Sequence, residues 1–226
     1  VEWLFTDIAT QYNLAKEADA AHPCCTANAS LYENVPLNSS FKNTNRKTMV
    51  TEKFDKNTIY MLYYMGDYDS SAWLKKWVPV IWQDSGKGSM PMMWSFNPNL
   101  SDRVPMVFNY IYTHMDSQDY FVSGDSGPGY IIPGGLYKSM CPDRPNPDGA
   151  GAWAAYSKPY MQKFDMDIVG FIINGNYKMN TTIMKLYNQF APTGSFHNDP
   201  SKPLYVVDGT PYVYLKNGVG NPGSYA

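Results

Sequence analysis

The sequence predicts an α/β fold with a mainly parallel sheet and covering helices. Three observations carry this reading. Short apolar runs end abruptly in polar turns, and each run is too short for a helix. Between them lie stretches with apolar residues at helical spacing. The two kinds alternate with connections of the length that βαβ units use, which requires parallel strands. An incomplete sheet resembling a (β/α) barrel is the first expectation, and an open doubly wound sheet the alternative. With 226 residues, the chain is read as one α/β domain spanning 1–226. Its start at Val1 reads as a processed product or a fragment of a longer protein.

Residues 1–5 predict a strand. A helix follows, with Asp7 as N-cap and Ile8, Tyr12 and Ala15 on one face; Pro23 ends it. Residues 22–57 are polar and aperiodic and read as a long functional or surface loop, with a short edge strand at 47–53. Residues 58–65 form the most apolar run, rich in aromatics, as in a central parallel strand. It exits into Gly66, Asp67, Tyr68 and Asp69. The next helix starts at Ser70, buries Trp73, Leu74 and Trp77, and is limited by Pro79. Residues 90–96 form a strand exiting at Asn97. A helix from about Ser101 buries Val104, Val107, Phe108, Ile111 and Tyr112. The third strand, 120–123, enters the turn Gly124-Asp-Ser-Gly-Pro-Gly129. Three glycines in six residues signal positive φ or a close approach to the main chain.

A Pro/Gly-rich excursion covers 134–151. The helix at 152–164 carries Trp153, Tyr156, Tyr160 and Phe164 on one stripe. Residues 167–173 form a strand exiting at Asn174, and a helix at 181–190 is capped by Asn180 or Thr181. Strands at 204–207, exiting at Asp208, and 212–215 complete the series. Polar residues at the exits therefore converge on one rim: Asp67, Asp69, Ser95, Asn97, Asp125, Tyr130, Asn174 and Asp208. The carboxyl ends of parallel strands are where such sheets place ligands.

The net charge of −2 and pI near 5.9 argue against a nucleic-acid surface. No apolar run is long enough to span a bilayer. Charged residues are scarce at 17% and aromatics reach 15%, a balance common in extracellular, carbohydrate-handling proteins. Four Asn-X-Ser/Thr sequons, at Asn28, Asn38, Asn99 and Asn180, point the same way, toward a secreted glycoprotein. In an oxidising compartment Cys141 is expected to pair with Cys24 or Cys25. No Cys or His spacing suggests a metal site, and no loop suggests a cofactor.

The segment from Gly127 to Pro133, Gly-Pro-Gly-Tyr-Ile-Ile-Pro, resembles the signature of the GxGYxYP family of glycoside hydrolases, with Ile132 in place of the second tyrosine. Trp94-Ser-Phe-Asn-Pro98 and Gly66-Asp67 stand in the family's order, so the resemblance runs from about residue 57 to 133 and more faintly back to Asn28. It implies an α/β, barrel-like C-terminal domain that acts on carbohydrate and is usually preceded by another domain. Partners in that reading are a glycan and either a missing N-terminal domain or further copies of the chain. In the family's acidic turn an aspartate stands where this chain has Met65; Asp69 is the candidate substitute.

Glycoside hydrolysis needs two carboxyl groups flanking the scissile bond. Asp67 with Asp125 is the chosen pair, because the two come from different strand exits; Asp67 with Asp69 is second. Asp67 is assigned as acid and Asp125 as base or nucleophile. Tyr130, Trp94, Asn97, Ser126 and Asp69 are the substrate-binding candidates. Each also has a structural reading. Asp69 can cap the helix after it, and tryptophans more often fill cores. The alternative function is a non-catalytic extracellular glycoprotein on the same fold, which binds glycans or builds an assembly.

Overall fold

The chain is described by a computed structural model at residues 2–17, 28–44, 55–68 and 70–215, with the backbone alone at 29, 67 and 68. The first element departs from the expectation of a strand. Residues Glu2–Gln11 form helix α1, and residues 12–17 leave it extended, bridging to Tyr130 through Lys16. The expected continuation of the helix toward Ala20 stops where Asn13 takes a φ of 61°. The turn Ala29–Tyr32 is α2. Residues 47–53, expected to be an edge strand, lie outside the described residues.

The sheet begins at β1, Tyr64–Tyr68. Helix α3, Ser71–Trp82, is capped by Ser70, whose side chain accepts from Trp73 N, and it runs through Pro79 rather than stopping there. Then follow β2 (Met92–Phe96), α4 (Pro105–Thr113), β3 (Asp119–Asp125), α5 (Ala150–Lys163), β4 (Ile168–Ile172) and α6 (Thr181–Tyr187). The chain closes with β5 (Gly194–His197), β6 (Leu204–Val207) and β7 (Thr210–Tyr214).

The strand order is β1-β2-β3-β4-β5-β7-β6, parallel except for the β6–β7 pair. The mainly parallel α/β sheet is thus as expected. Its order advances one way from β1 to β5. A doubly wound sheet would reverse direction at a switch point, so the alternative is set aside. The sheet is open rather than closed, with β1 and β6 at its edges.

Two strand assignments are corrected. The apolar run read as a central strand at 58–65 pairs only from Tyr64, at the edge. Ile59, Tyr60, Met61 and Leu62 are exposed instead. Residues 204–207, read as a parallel strand, are one arm of a hairpin. Its turn is Asp208-Gly209, both at positive φ, as a two-residue hairpin turn requires. Strand β5 was not anticipated, because four residues with one large apolar side chain make no run.

One core lies between the sheet and α3–α6. Trp94 and Phe96 of β2, Phe121 of β3 and Val169 of β4 meet Leu74, Val78, Phe108, Ile111, Met161, Phe164 and Ile183 from the helices. Side chains alternate across a strand, so Ser95, Val122, Gly124 and Gly170 face the other way. There Tyr64 lies across Gly170: a Cβ built at that glycine would stand 2.6 Å from the Tyr64 ring and 2.9 Å from Val122 Cγ2. Part of the supposed surface loop is structural. Phe41 enters the core, and the Asn43 amide donates to Phe121 O at 2.8 Å while accepting from Phe121 N at 3.2 Å. Asn43 thus serves the β3 backbone as a neighbouring strand would.

Candidate functional site

The carboxyl ends of the strands carry Asn97 after β2, Asp125 at the end of β3, Asn174 after β4 and His197 at the end of β5. Three of the residues expected at one rim therefore lie on three consecutive strands. Asp208 does not join them: β6 runs antiparallel, so its turn falls at the amino ends of the parallel strands. Asp67 lies on β1, next to its last residue. Its side chain, and all of Asp69, lie outside what the structure describes.

Asn97 and Gly124 fit together as one unit. A Cβ on Gly124 would stand 1.7 Å from Asn97 Oδ1, so no larger residue fits at 124 while Asn97 lies flat on β3. Asn97 is 1% exposed, and among the described residues neither end of its amide has a hydrogen-bond partner. Asp125 is 2% exposed and pairs in register with Phe171 of β4. Alternation sets it in step with Phe121 and Ser123, the face that meets the helices, and puts Gly124 and Asn97 on the other face.

Ser126, a substrate-binding candidate, is a fastener. Its φ of 58° is a left-handed conformation that costs a non-glycine residue on the order of 1 kcal/mol. Three bonds hold it there. Ser126 N donates to Phe171 O at 2.6 Å, Ile173 N donates to Ser126 Oγ at 3.0 Å, and the Tyr187 hydroxyl donates to Ser126 O at 2.9 Å. The signature loop follows. Gly127 and Gly129 have φ of 116° and 124°, values L side chains rarely adopt, which accounts for the glycines of the motif. Tyr130 is buried against Ile132 and Ile173, exchanges two backbone bonds with Lys16, and has the Lys16 ammonium 4.8 Å from its ring centre. Trp94 packs in the core 4.9 Å from Trp82, and its indole N–H donates to Asp119 Oδ1 at 2.7 Å. Neither ring faces an open cleft.

His197 was not among the candidates named from the sequence. It is fully buried, and its Nδ1 accepts from Asp199 N at 3.2 Å, which requires the neutral ring. Burial holds its pKa below the ordinary histidine value, against the pull of Asp199. Asp199 in turn accepts from Met179 N and Ser201 N, which keep its carboxyl below the usual range despite burial. The only sequence signal for this cluster was His-Asn-Asp after a short run, too little to assign. Cys141 is half-buried; Cys24 and Cys25 lie outside the described residues. Among the described residues no three His, Cys, Asp or Glu side chains group to hold a metal ion, and no helix is long and apolar enough to cross a membrane.

The fold matches a solved structure, that of a putative hydrolase from Bacteroides thetaiotaomicron VPI-5482. The TM-score is 0.72 and the identity 21%; the match covers 94% of this chain and 40% of that one. The likeness carries the fold alone. No curated protein matches the chain. The sequence profile described as "GxGYxYP putative glycoside hydrolase C-terminal domain" matches residues 57–212. The match takes in β1 through most of β7, including the Gly-Pro-Gly-Tyr loop whose backbone requires its glycines, and on that evidence the chain belongs to the GxGYxYP family.

Proposed function

We propose that the chain is a carbohydrate-active hydrolase in which Asp67 and Asp125 act as the two carboxyl groups at the carboxyl rim of the sheet. The observation that carries the reading is a carboxyl buried at the head of the signature loop, in a family named for glycoside hydrolysis. A carboxyl shut away from water at a strand end is the kind of group that acid–base chemistry recruits. Asp67→Asn and Asp125→Asn should each lower hydrolysis of a cognate glycan by at least a hundredfold with the fold intact. Wild-type rates in both variants would remove the pair.

A second reading has its own support: binding of glycan without hydrolysis. Asp125 is 2% exposed and in step with the helix-facing side of β3, and Met65 stands where the family's acidic turn carries an aspartate. Secretion, with glycan on the chain, belongs to either reading. Absence of hydrolysis by the wild-type chain on any glycan it binds decides for the second.

A further inference from the structure

A groove beside the signature loop has none of the roles assigned above. Asn13, Leu14 and Ala15 form one side; Ile131, Trp153 and Tyr156 form the other, around a volume of about 340 Å³. That lies within the range of small-molecule sites. No charged side chain is among the described residues that line it, so an anionic or cationic ligand would find no counter-charge. The deep wall is Trp153, 6% exposed, and the outer wall is Tyr156, 41% exposed. The Tyr156 ring is braced by two neighbours, 5.6 Å from Trp153 and 5.1 Å from Tyr160, centre to centre. Tyr160 is itself anchored by donating to Asp102 Oδ2 at 2.5 Å. A ring held this way loses little freedom when something stacks on it.

Gly129 connects the groove to the family signature. A Cβ there would stand 3.2 Å from Ala15 Cβ and 3.7 Å from Trp153 Cη2, wedged between the two walls. The residue that the motif keeps without a side chain is thus one whose side chain would intrude on the groove.

We propose that this groove binds one pyranose ring of a neutral glycan, its C–H face against Tyr156 and its hydroxyl groups toward the Asn13 amide at the mouth, which keeps one N–H beyond its bonds to Pro147 O and Arg144. The proposal rests on the carbohydrate reading above and holds with or without hydrolysis. An uncharged lining, one half-exposed aromatic and one amide at the edge match a flat ring that is apolar on its faces and polar around its rim.

The test is migration of the native protein through gels containing soluble β-glucan, xylan or mannan. At least one polysaccharide should retard the wild type. Tyr156→Ala should weaken that interaction at least tenfold, and Tyr156→Phe should keep most of it. Ala152→Trp fills the groove from an exposed position on α5 without removing a contact; it should block binding too, and it decides the matter if Tyr156→Ala proves unfolded. Failure of all three polysaccharides to retard the wild type overturns the proposal, as does wild-type retardation of both Tyr156→Ala and Ala152→Trp. An apolar peptide that binds where no polysaccharide does would assign the groove to a protein partner, and also overturns it. The two readings fail separately. Retardation without hydrolysis removes the hydrolase and leaves the groove. Hydrolysis lost in Asp125→Asn but binding untouched by Ala152→Trp does the reverse.

Discussion

Ser126 carries strain and hydrogen bonding at once. Removing its hydroxyl leaves Ile173 N–H buried without a partner, which costs about 1–3 kcal/mol. Ser126→Ala should therefore lose that much stability in urea unfolding, with the slope unchanged; no loss would mean that the bond contributes nothing. His197 sets a pH dependence. Its folded pKa is depressed, so the unfolded chain binds the proton first. Stability is full above the unfolded value of about 6.5 and declines as pH falls below it, by at most about 1.4 kcal/mol per pH unit. Thermal melts at pH 7.5 and 5.5 should show this decline in the wild type and a smaller one in His197→Gln. Asp199 acts in a lower window, since its depressed carboxyl matters only as pH falls toward the ordinary carboxylate range. The sequons separate in the same way. Asn28 and Asn38 are exposed in irregular backbone. Asn99 packs against Gly129 and Tyr156, and the Asn180 side chain caps α6 by accepting from Ile183 N. In a eukaryotic secretory host, mass spectrometry should find glycan at Asn28 or Asn38 rather than at Asn99 or Asn180. The reverse distribution would mean that these side chains are not committed to the fold when the transferase meets them.

At the scale of elements, α1 departs furthest from its sequence reading, and the reason is physical. Its buried residues are Thr6 and Thr10, while Trp3, Leu4, Phe5 and Ile8 face outward. A pattern argument expects the apolar side to face the core. Here hydrogen bonds place the helix instead. Thr10 Oγ1 accepts from Ile132 N, and Arg144, fully buried, donates to Leu136 O, to Gln11 O at 3.2 Å and to Asn13 Oδ1. That cation crosses more than 130 residues of sequence, and no local pattern announces it. Arg144→Met should remove three hydrogen bonds from a buried charged donor, costing at least about 3 kcal/mol. It should also release the N-terminal segment to limited proteolysis at Lys16 before the rest of the chain. Co-melting of segment and body would show that α1 is held by something else. Strands β2, β3 and β4 and helices α3–α6 were legible because each buries a run or stripe of the length its element needs. The groove was only half legible: Tyr156 read as one residue of a helix stripe, and nothing local announced that Leu14 and Ala15 face it. The candidate site was legible where strand exits carry it, at Asn97, Asp125 and Asn174. It was not at Asp208, where Asp-Gly means a hairpin, nor at His197, which follows a strand too short to register.

At the scale of the whole molecule, the sheet's one-way order leaves two edges, and β1 is one of them. The residues leading into it, Ile59 to Tyr63, are 88, 57, 71, 58 and 40% exposed, and Met65 on the strand is 40% exposed. The same feature that made this run read as a central strand, apolarity on both faces, makes it a surface that water does not favour. Proteins usually blunt an edge with charge, proline or a bulge. Here there is a register shift between Met65 and Tyr68, and no Lys or Pro stands from Thr58 to Tyr68. Three outcomes are physically open to such an edge: a second copy, a further domain, or exposure. The first can be tested with the chain alone. Sedimentation velocity over a tenfold concentration range should show reversible self-association. Ile59→Lys combined with Leu62→Lys should abolish it, because a charge at the edge opposes both pairing and apolar contact. Both positions are exposed, so the double variant should keep its melting temperature. A wild-type chain that stays monomeric across the range rules out self-assembly through this edge.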